Sequence, residues 1–92
     1  MAQYQVLLHG EHFLLEREGK QSWYGFLKTV YVQAENEDDA AGYAVKQACS
    51  DPEFRASVKN PPDQPPALSV EDCVVIDKDP NLTDSPFIYT PE

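Results

Sequence analysis

The junction between a β-branched segment and an alanine-rich segment constrains the fold more than any other feature of this chain. Val30-Tyr31-Val32 is typical of a strand, and Asn36 shortly after it has the side chain of a helix N-cap. Glu37-Asp38-Asp39 follows, where the helix dipole favours negative charge. The next apolar positions form a narrow stripe of small residues, which lets a helix lie close to a sheet: Ala40, Ala41, Ala44, Val45 and Ala48. The junction therefore predicts a strand that leads into a helix packed on a sheet.

The residues before this junction predict a long hairpin with one irregularity. Tyr4, Val6 and Leu8 alternate on one face of the first strand, whereas Phe13 and Leu15 have the opposite parity. Gly10 lies between the two sets, so we expect a bulge or bend there. The segment 17–20 predicts a turn in which Gly19 takes a positive φ. The second strand runs from about residue 22 to residue 33, and Lys28 is the exception on its apolar parity.

The residues after the junction predict a second helix, a linker and a third strand. Asp51 is a candidate N-cap with Pro52 at the first helical position. Four prolines in residues 60–66 exclude both a helix and a ladder, so this segment is a linker. Residues 67–77 form the third strand, with Leu68, Val70, Val74 and Ile76 on one parity. The run Val74-Val75-Ile76 predicts burial on both faces, at the centre of the sheet.

Together these elements predict an α+β fold: a bent antiparallel sheet of three to four strands, in the order β-β-α-α-β, with helices packed on one face. Residues 1–77 are predicted to form a single domain, and residues 78–92 a Pro- and Asp-rich C-terminal tail. The tail contains the apolar cluster Phe87-Ile88-Tyr89. Three alternatives stay open for this cluster: it docks on the domain, adds an edge strand or is an exposed binding segment.

The charge of the chain limits its partners. The net charge of the 92 residues is −9, and residues 61–92 carry seven acids against Lys78 alone. Phosphate backbones and anionic membranes would be repelled, so we expect neither nucleic acid nor membrane as a partner. A basic protein is favoured, although acidity also serves plain solubility. No apolar run approaches a membrane span and Met1-Ala2-Gln3 lacks a basic start, so a cytoplasmic location is expected.

Few residues suggest chemistry. His9 and His12 flank Glu11, but an offset of three on a strand points to opposite faces unless a bend brings the rings together. Cys49 and Cys73 are expected to be buried thiols. The chain has neither a nucleophile elbow nor a glycine-rich phosphate loop. The sequence therefore predicts no catalytic residue and no cofactor.

The leading hypothesis is a non-enzymatic module that binds another, basic protein, as immunity proteins, nuclease inhibitors or DNA mimics do. Aromatic side chains are frequent hot spots of such interfaces. The predicted binding residues are two aromatics of the second strand and five residues of the C-terminal third: Trp23, Tyr31, Asp77, Asp79, Asp84, Phe87 and Tyr89. One alternative is a metal- or ligand-binding domain, or an enzyme, around His9, Glu11 and His12. The other is a structural homodimer in which Trp23 and Tyr31 pair with themselves.

Three segments carry a resemblance to a protein family: residues 10–16 (GEHFLLE), Gly25-Phe26, and residues 32–35 (VQAE). They resemble a family of small uncharacterised bacterial proteins with the pattern Gly-x-x-Phe-x-Leu, followed by Gly-Phe-Tyr-Thr-Thr-Arg-x-Val-x-Ala. The resemblance covers most of residues 4–77. This chain departs from the second motif at residues 27–30, where it reads Leu-Lys-Thr-Val. The resemblance implies no activity, cofactor or catalytic residue.

Overall fold

A four-stranded antiparallel sheet carries two helices on one of its faces. The structure is a computed structural model and describes residues 1–77 and 81–92. Its elements, in chain order, are β1 (Ala2–Arg17), β2 (Lys20–Ala34), α1 (Glu37–Cys49), α2 (Pro52–Ser57), β3 (Ala67–Ile76) and β4 (Ile88–Pro91). The spatial order of the strands is β3-β1-β2-β4. The α+β class with an antiparallel sheet is confirmed, and the predicted order gains a fourth strand because the predicted tail supplies β4.

The hairpin between β1 and β2 closes through a two-residue turn. Glu18 and Gly19 have φ values of 54° and 79°, and Arg17 pairs with Lys20 across the turn. Two consecutive positive φ angles define a type I′ turn, whose twist matches that of the strands it joins. The predicted turn and the positive φ of Gly19 are confirmed.

The predicted shift of parity in β1 is a bulge. Gly10 pairs with Phe26 and Phe13 pairs with Tyr24, so two residues of β1 face one residue of β2 between these pairs. The residue with the irregular backbone is His12, with φ 59°, rather than Gly10. Gly10 has a different role, because a Cβ there would lie 2.1 Å from Cε2 of Phe26. The bulge reverses the parity, so Phe13 and Leu15 face the same layer as Tyr4, Val6 and Leu8.

Both helices begin at the predicted caps. The Asn36 side chain accepts a hydrogen bond from the Asp39 N–H at 2.8 Å, and Asp51 accepts one from the Phe54 N–H at 3.0 Å. The alanine stripe of α1 is buried against the inward residues of β1 and β2: Tyr4, Val6, Leu8, Val30, Val32 and Ala34. Within residues 1–77 and 81–92, neither helix is long and apolar enough to cross a membrane.

A second core cluster extends the first along the same face of the sheet. Phe54 of α2 packs with Phe13, Leu15 and Phe26. Phe87, which belongs to the C-terminal segment (residues 81–92), packs against this group. The rings of Phe54 and Phe87 are stacked with centroids 4.4 Å apart. Both core clusters therefore lie on the face that the helices cover, and the segment predicted as a tail contributes to one of them.

The prediction that β3 lies at the sheet centre is wrong. β3 is an edge strand that pairs with β1 alone, and Val75 is 61% exposed. The register with β1 shifts beside Glu71, so Leu68 and Val70 face the helices whereas Val74 and Ile76 face the other side. β-branched residues favour any pleated, half-buried surface, so their run predicts a strand without predicting its place in the sheet.

Candidate functional site

The face of the sheet opposite the helices, called the open face here, is the main surface left for binding. Directly paired residues of antiparallel strands point to the same side, so the register assigns its members. They include Gln3, Gln5, Leu7 and His9 of β1, Trp23, Leu27, Thr29, Tyr31 and Gln33 of β2, Asp72, Val74 and Ile76 of β3, and Ile88 of β4. Neither α1 nor α2 packs on this side, because their buried residues contact the opposite face.

The open face has an apolar patch on one side and acidic residues on the other. Leu27 of β2 and Ile88 of the edge strand β4 pair directly and form this apolar patch, with 42% and 57% of the two residues exposed. The strand positions of the open face carry neither lysine nor arginine. Glu71 and Asp72 lie on the opposite edge strand, β3, which β1 separates from Leu27. A surface of this kind suits a partner that has its own apolar patch with basic groups around it.

The bulge forms one end of the open face and is held from several sides. The His12 ring stacks on Trp23 with centroids 4.2 Å apart. The His12 N–H donates to the Glu92 carboxylate at 3.0 Å, while the Asn60 side chain donates to the His12 carbonyl at 2.8 Å. The same Asn60 amide accepts a hydrogen bond from the Leu14 N–H at 2.9 Å, and the Lys59 N–H donates to the Leu14 carbonyl at 2.8 Å. Residues 59 and 60 therefore satisfy β1 as a neighbouring strand would. A cavity of about 300 Å³ lies beside the bulge, lined by residues that include His9, Leu27 and Glu92.

The structure does not bring the two histidines to one ligand. His9 Nδ1 lies 3.1 Å from a Glu71 carboxylate oxygen and 3.6 Å from one of Glu11, whereas the His12 ring is stacked on Trp23. In the described part of the chain, no group of three or more His, Cys, Asp or Glu side chains is arranged to hold a metal ion.

Neither cysteine has the surroundings of a reactive thiol. Burial raises the pKa of the Cys49 thiol. Burial also raises the pKa of Cys73, and the carboxylates of Glu37 and Asp72 raise it further. The two thiols are free rather than joined in a disulfide, and the expectation that both are buried is wrong, because Cys49 is exposed and Cys73 is half-buried. A raised pKa lowers the thiolate fraction at neutral pH, and the thiolate is the nucleophilic form.

The predicted binding residues separate into different places. Trp23 and Tyr31 both belong to the open face, at positions 23 and 31 of β2. Asp84 lies at the β2 edge, where one carboxylate oxygen accepts the Tyr31 N–H at 2.9 Å and the Gln47 side chain of α1 donates to the other. Asp77 is exposed just after β3, and Asp79 lies outside the described residues. Asp84 therefore fastens the C-terminal segment to both layers of the fold.

Phe87 and Tyr89 lie on the helix side of the sheet. The Phe87 ring is stacked on those of Phe54 and Tyr89, and it also meets Phe26 edge-on. The predicted alternatives for this segment are therefore combined, since it docks on the domain and adds the edge strand β4. Burial raises the pKa of the Tyr89 phenol, an effect that the Arg17 guanidinium partly offsets.

Lys28 is a feature that sequence reasoning noted only as an exception. It is 9% exposed, and its ammonium donates to the Ser85 carbonyl at 2.6 Å and lies 4.5 Å from the centroid of the Phe87 ring. It lines a cavity of about 380 Å³ between α2 and the C-terminal segment. A lysine on an otherwise apolar parity was the available signal, but the segment that covers it is 57 residues away in the chain.

Comparison with known proteins adds no assignment: no family model, no curated protein and no solved structure matches this chain. The fold and the open face define a two-layer α+β protein in which neither helix covers one face of the sheet.

Proposed function

We propose that this protein is a non-enzymatic module that binds a partner protein through the open face of its sheet. The observation that carries the proposal is the exposed apolar patch of Leu27 and Ile88, on a face that neither helix covers. Exposed apolar patches bordered by polar residues commonly mark interaction sites in small proteins. Trp23 and Tyr31 of the same face supply the aromatic contacts that such interfaces favour.

The partner should be basic. The net charge of −9 accelerates encounter with a positively charged surface, and Glu71 and Asp72 place carboxylates on the opposite edge strand of the same sheet. An immunity or inhibitor protein of a basic nuclease is the form of this function that we favour. A DNA mimic is the other form, but it would rely on rows of carboxylates and would have little use for an apolar patch.

We also propose a cytoplasmic location and membership of the family of small bacterial proteins that the motifs resemble. Two free thiols are consistent with the reducing environment of a cytoplasm. Membership of the small bacterial family that the motifs resemble would fit a module of this size.

The test compares capture of partners by a variant of the open face and a control variant on the opposite side of the molecule, both of which add negative charge. The bait Leu27→Glu/Ile88→Glu places carboxylates in the apolar patch of the open face, where both side chains are exposed, so the fold should survive. The control Tyr43→Glu changes a half-exposed residue of α1 on the opposite side of the molecule. Both baits and the wild type are exposed to lysate of the source organism at low and high salt, and retained proteins are identified by mass spectrometry.

We expect a basic protein that the wild type and Tyr43→Glu retain at low salt and release at high salt, and that Leu27→Glu/Ile88→Glu does not retain. A partner that binds the double variant as well as the wild type would show that the open face is not the interface. Dissociation constants with the purified partner then give the size of the effect, which should exceed about tenfold for two residues at an interface centre.

A homodimer through the same face is the second candidate, favoured by the same apolar patch. The carboxylates of Glu71 and Asp72 disfavour this dimer, because a second copy brings like charges together. Light scattering separates the two candidates. A monomer mass supports binding of another protein, whereas a dimer mass that Leu27→Glu/Ile88→Glu abolishes supports self-association.

A further inference from the structure

The cavity between α2 and the C-terminal segment is lined by a buried lysine, which is unusual in proteins. It lies on the helix side of the molecule, away from the open face, and has a volume of about 380 Å³. Lys28 lines it and is nine-tenths buried. Lysine is almost never buried to this degree without a paired charge, because removing an ammonium from water is costly.

Lys28 has no such partner among the residues that the structure describes. Its ammonium makes one hydrogen bond, to the Ser85 carbonyl, and lies over the Phe87 ring, but no described carboxylate forms an ion pair with it. An ammonium has three donors, so it retains capacity for an acceptor in the cavity. Arg17 also lines the cavity, 4.7 Å from the centroid of the Tyr89 ring, and it too lacks an ion pair with a described carboxylate.

The other walls of the cavity narrow the choice of ligand. Phe54, Phe87 and Tyr89 provide aromatic surfaces on which a flat apolar group can pack. Asp51, the N-cap of α2, and Glu53 of its first turn add carboxylates to the lining of the cavity. A simple anion would meet these acids, and a simple cation would meet Lys28 and Arg17. A molecule with both charges satisfies both groups.

We propose that this cavity binds a small zwitterion with a flat apolar side chain, such as an aromatic α-amino acid. Its carboxylate accepts hydrogen bonds from Lys28 and Arg17, its ammonium faces Asp51 and Glu53, and its ring packs on the aromatic wall. The cavity volume lies within the range of small-molecule sites. This site is separate from the open face, so its ligand is independent of the partner protein proposed above.

The test is a titration of the full-length ¹⁵N-labelled protein followed by NMR. The probes are L-phenylalanine, 3-phenylpropanoate, which lacks the amine, and phenethylamine, which lacks the carboxylate, each up to about 10 mM so that a dissociation constant of ~1 mM is measurable. We expect L-phenylalanine to bind most tightly and to shift the amide signals of the cavity residues Lys28, Ser57 and Phe87. The two probes with a single charge should each bind several-fold more weakly.

Variants assign the charged groups. Lys28→Met should weaken L-phenylalanine binding by at least about tenfold, because it removes a charge-assisted hydrogen bond. Arg17→Gln changes an exposed side chain, so it tests the same carboxylate contact even if Lys28→Met is poorly folded. Lys46→Met, on the exposed side of α1, is the matched control and should bind as the wild type does.

Three results would overturn the proposal: no shift of the cavity signals with L-phenylalanine, equal binding by the wild type and both cavity variants, or equal binding of a single-charge probe. None of these outcomes bears on partner binding at the open face, so the two proposals fail separately.

Discussion

Replacing Gly10 with alanine should destabilise the fold strongly, although alanine usually stabilises a chain relative to glycine. The new Cβ would lie 2.1, 2.5 and 2.7 Å from three carbons of the Phe26 ring. Carbon atoms make optimal contact at about 3.5–4.0 Å, so the ring has to move by more than ~1 Å. Phe26 is 2% exposed, and its ring lies 5.0 Å from that of Phe87 and 5.1 Å from that of Phe13. These neighbouring rings therefore restrict its movement.

The expected cost follows from these contacts. Overpacking of a core costs about 1–3 kcal/mol, and each disturbed aromatic pair adds ~0.5–1.5 kcal/mol. We expect Gly10→Ala to lower the free energy of unfolding by about 2–4 kcal/mol. For a domain of this size that lowers Tm by roughly 10–25 °C. Urea unfolding followed by circular dichroism measures the free energy, and a thermal scan measures Tm.

Two companion variants make the test specific. Gly42→Ala adds a Cβ with nothing within 4 Å, in the exposed middle of α1, so it should stabilise the protein by about 0.5–1 kcal/mol. Phe26→Leu removes part of the ring, so combining it with Gly10→Ala should cost less than the sum of the single changes by ~1 kcal/mol or more. A Gly10→Ala protein as stable as the wild type would refute the steric argument.

Three further predictions concern the bulge, the start of α1 and the titrating groups. Asn60→Ala removes the amide that bonds two backbone groups of β1 and should cost about 1–3 kcal/mol in urea unfolding, with Asn60→Asp closer to the wild type because it keeps the acceptor. Asn36→Ala removes the N-cap of α1 and should cost ~1 kcal/mol, whereas Asp38→Ala should cost less because the Asp38 side chain makes no capping bond. Stability should be constant near neutral pH and fall above about pH 9, and Tyr89→Phe should reduce that fall.

The sign of the pH effect follows from the direction of the shifts. The folded state raises the pKa of Cys49, Cys73 and Tyr89, from ordinary values of 9.0 for a thiol and 10.0 for the phenol. The unfolded chain therefore loses these protons first, and stability is lost as pH rises through the folded pKa values. Urea midpoints measured from neutral to strongly alkaline pH show this directly, and a midpoint that rises with alkaline pH would contradict the assignment. An Asn60→Ala or Asn36→Ala protein with an unchanged midpoint would likewise show that the corresponding hydrogen bond is not stabilising.

The candidate site was predictable only in part. Simple alternation gives Trp23 and Tyr31 the same parity in β2, and the structure has both on the open face. Ile88 joins Leu27 in the apolar patch only because β4 pairs with β2. The same pairing turns Phe87 inward, so alternation within a short segment does not indicate which of its residues bind and which pack. The acid Asp84 is occupied by contacts within the fold.

The sequence by itself determined what depends on near neighbours in the chain. The caps at Asn36 and Asp51, the turn at Gly19 and the change of parity in β1 all follow from residues a few positions apart. The tertiary structure alone decided that β3 lies at the edge, that residues 88–91 become a strand and that both helices pack on the same face of the sheet. It also placed Lys28 in a cavity, under a segment 57 residues further on. These outcomes depend on contacts between distant residues, whose free energy is set by which surfaces are buried together rather than by local conformational preference.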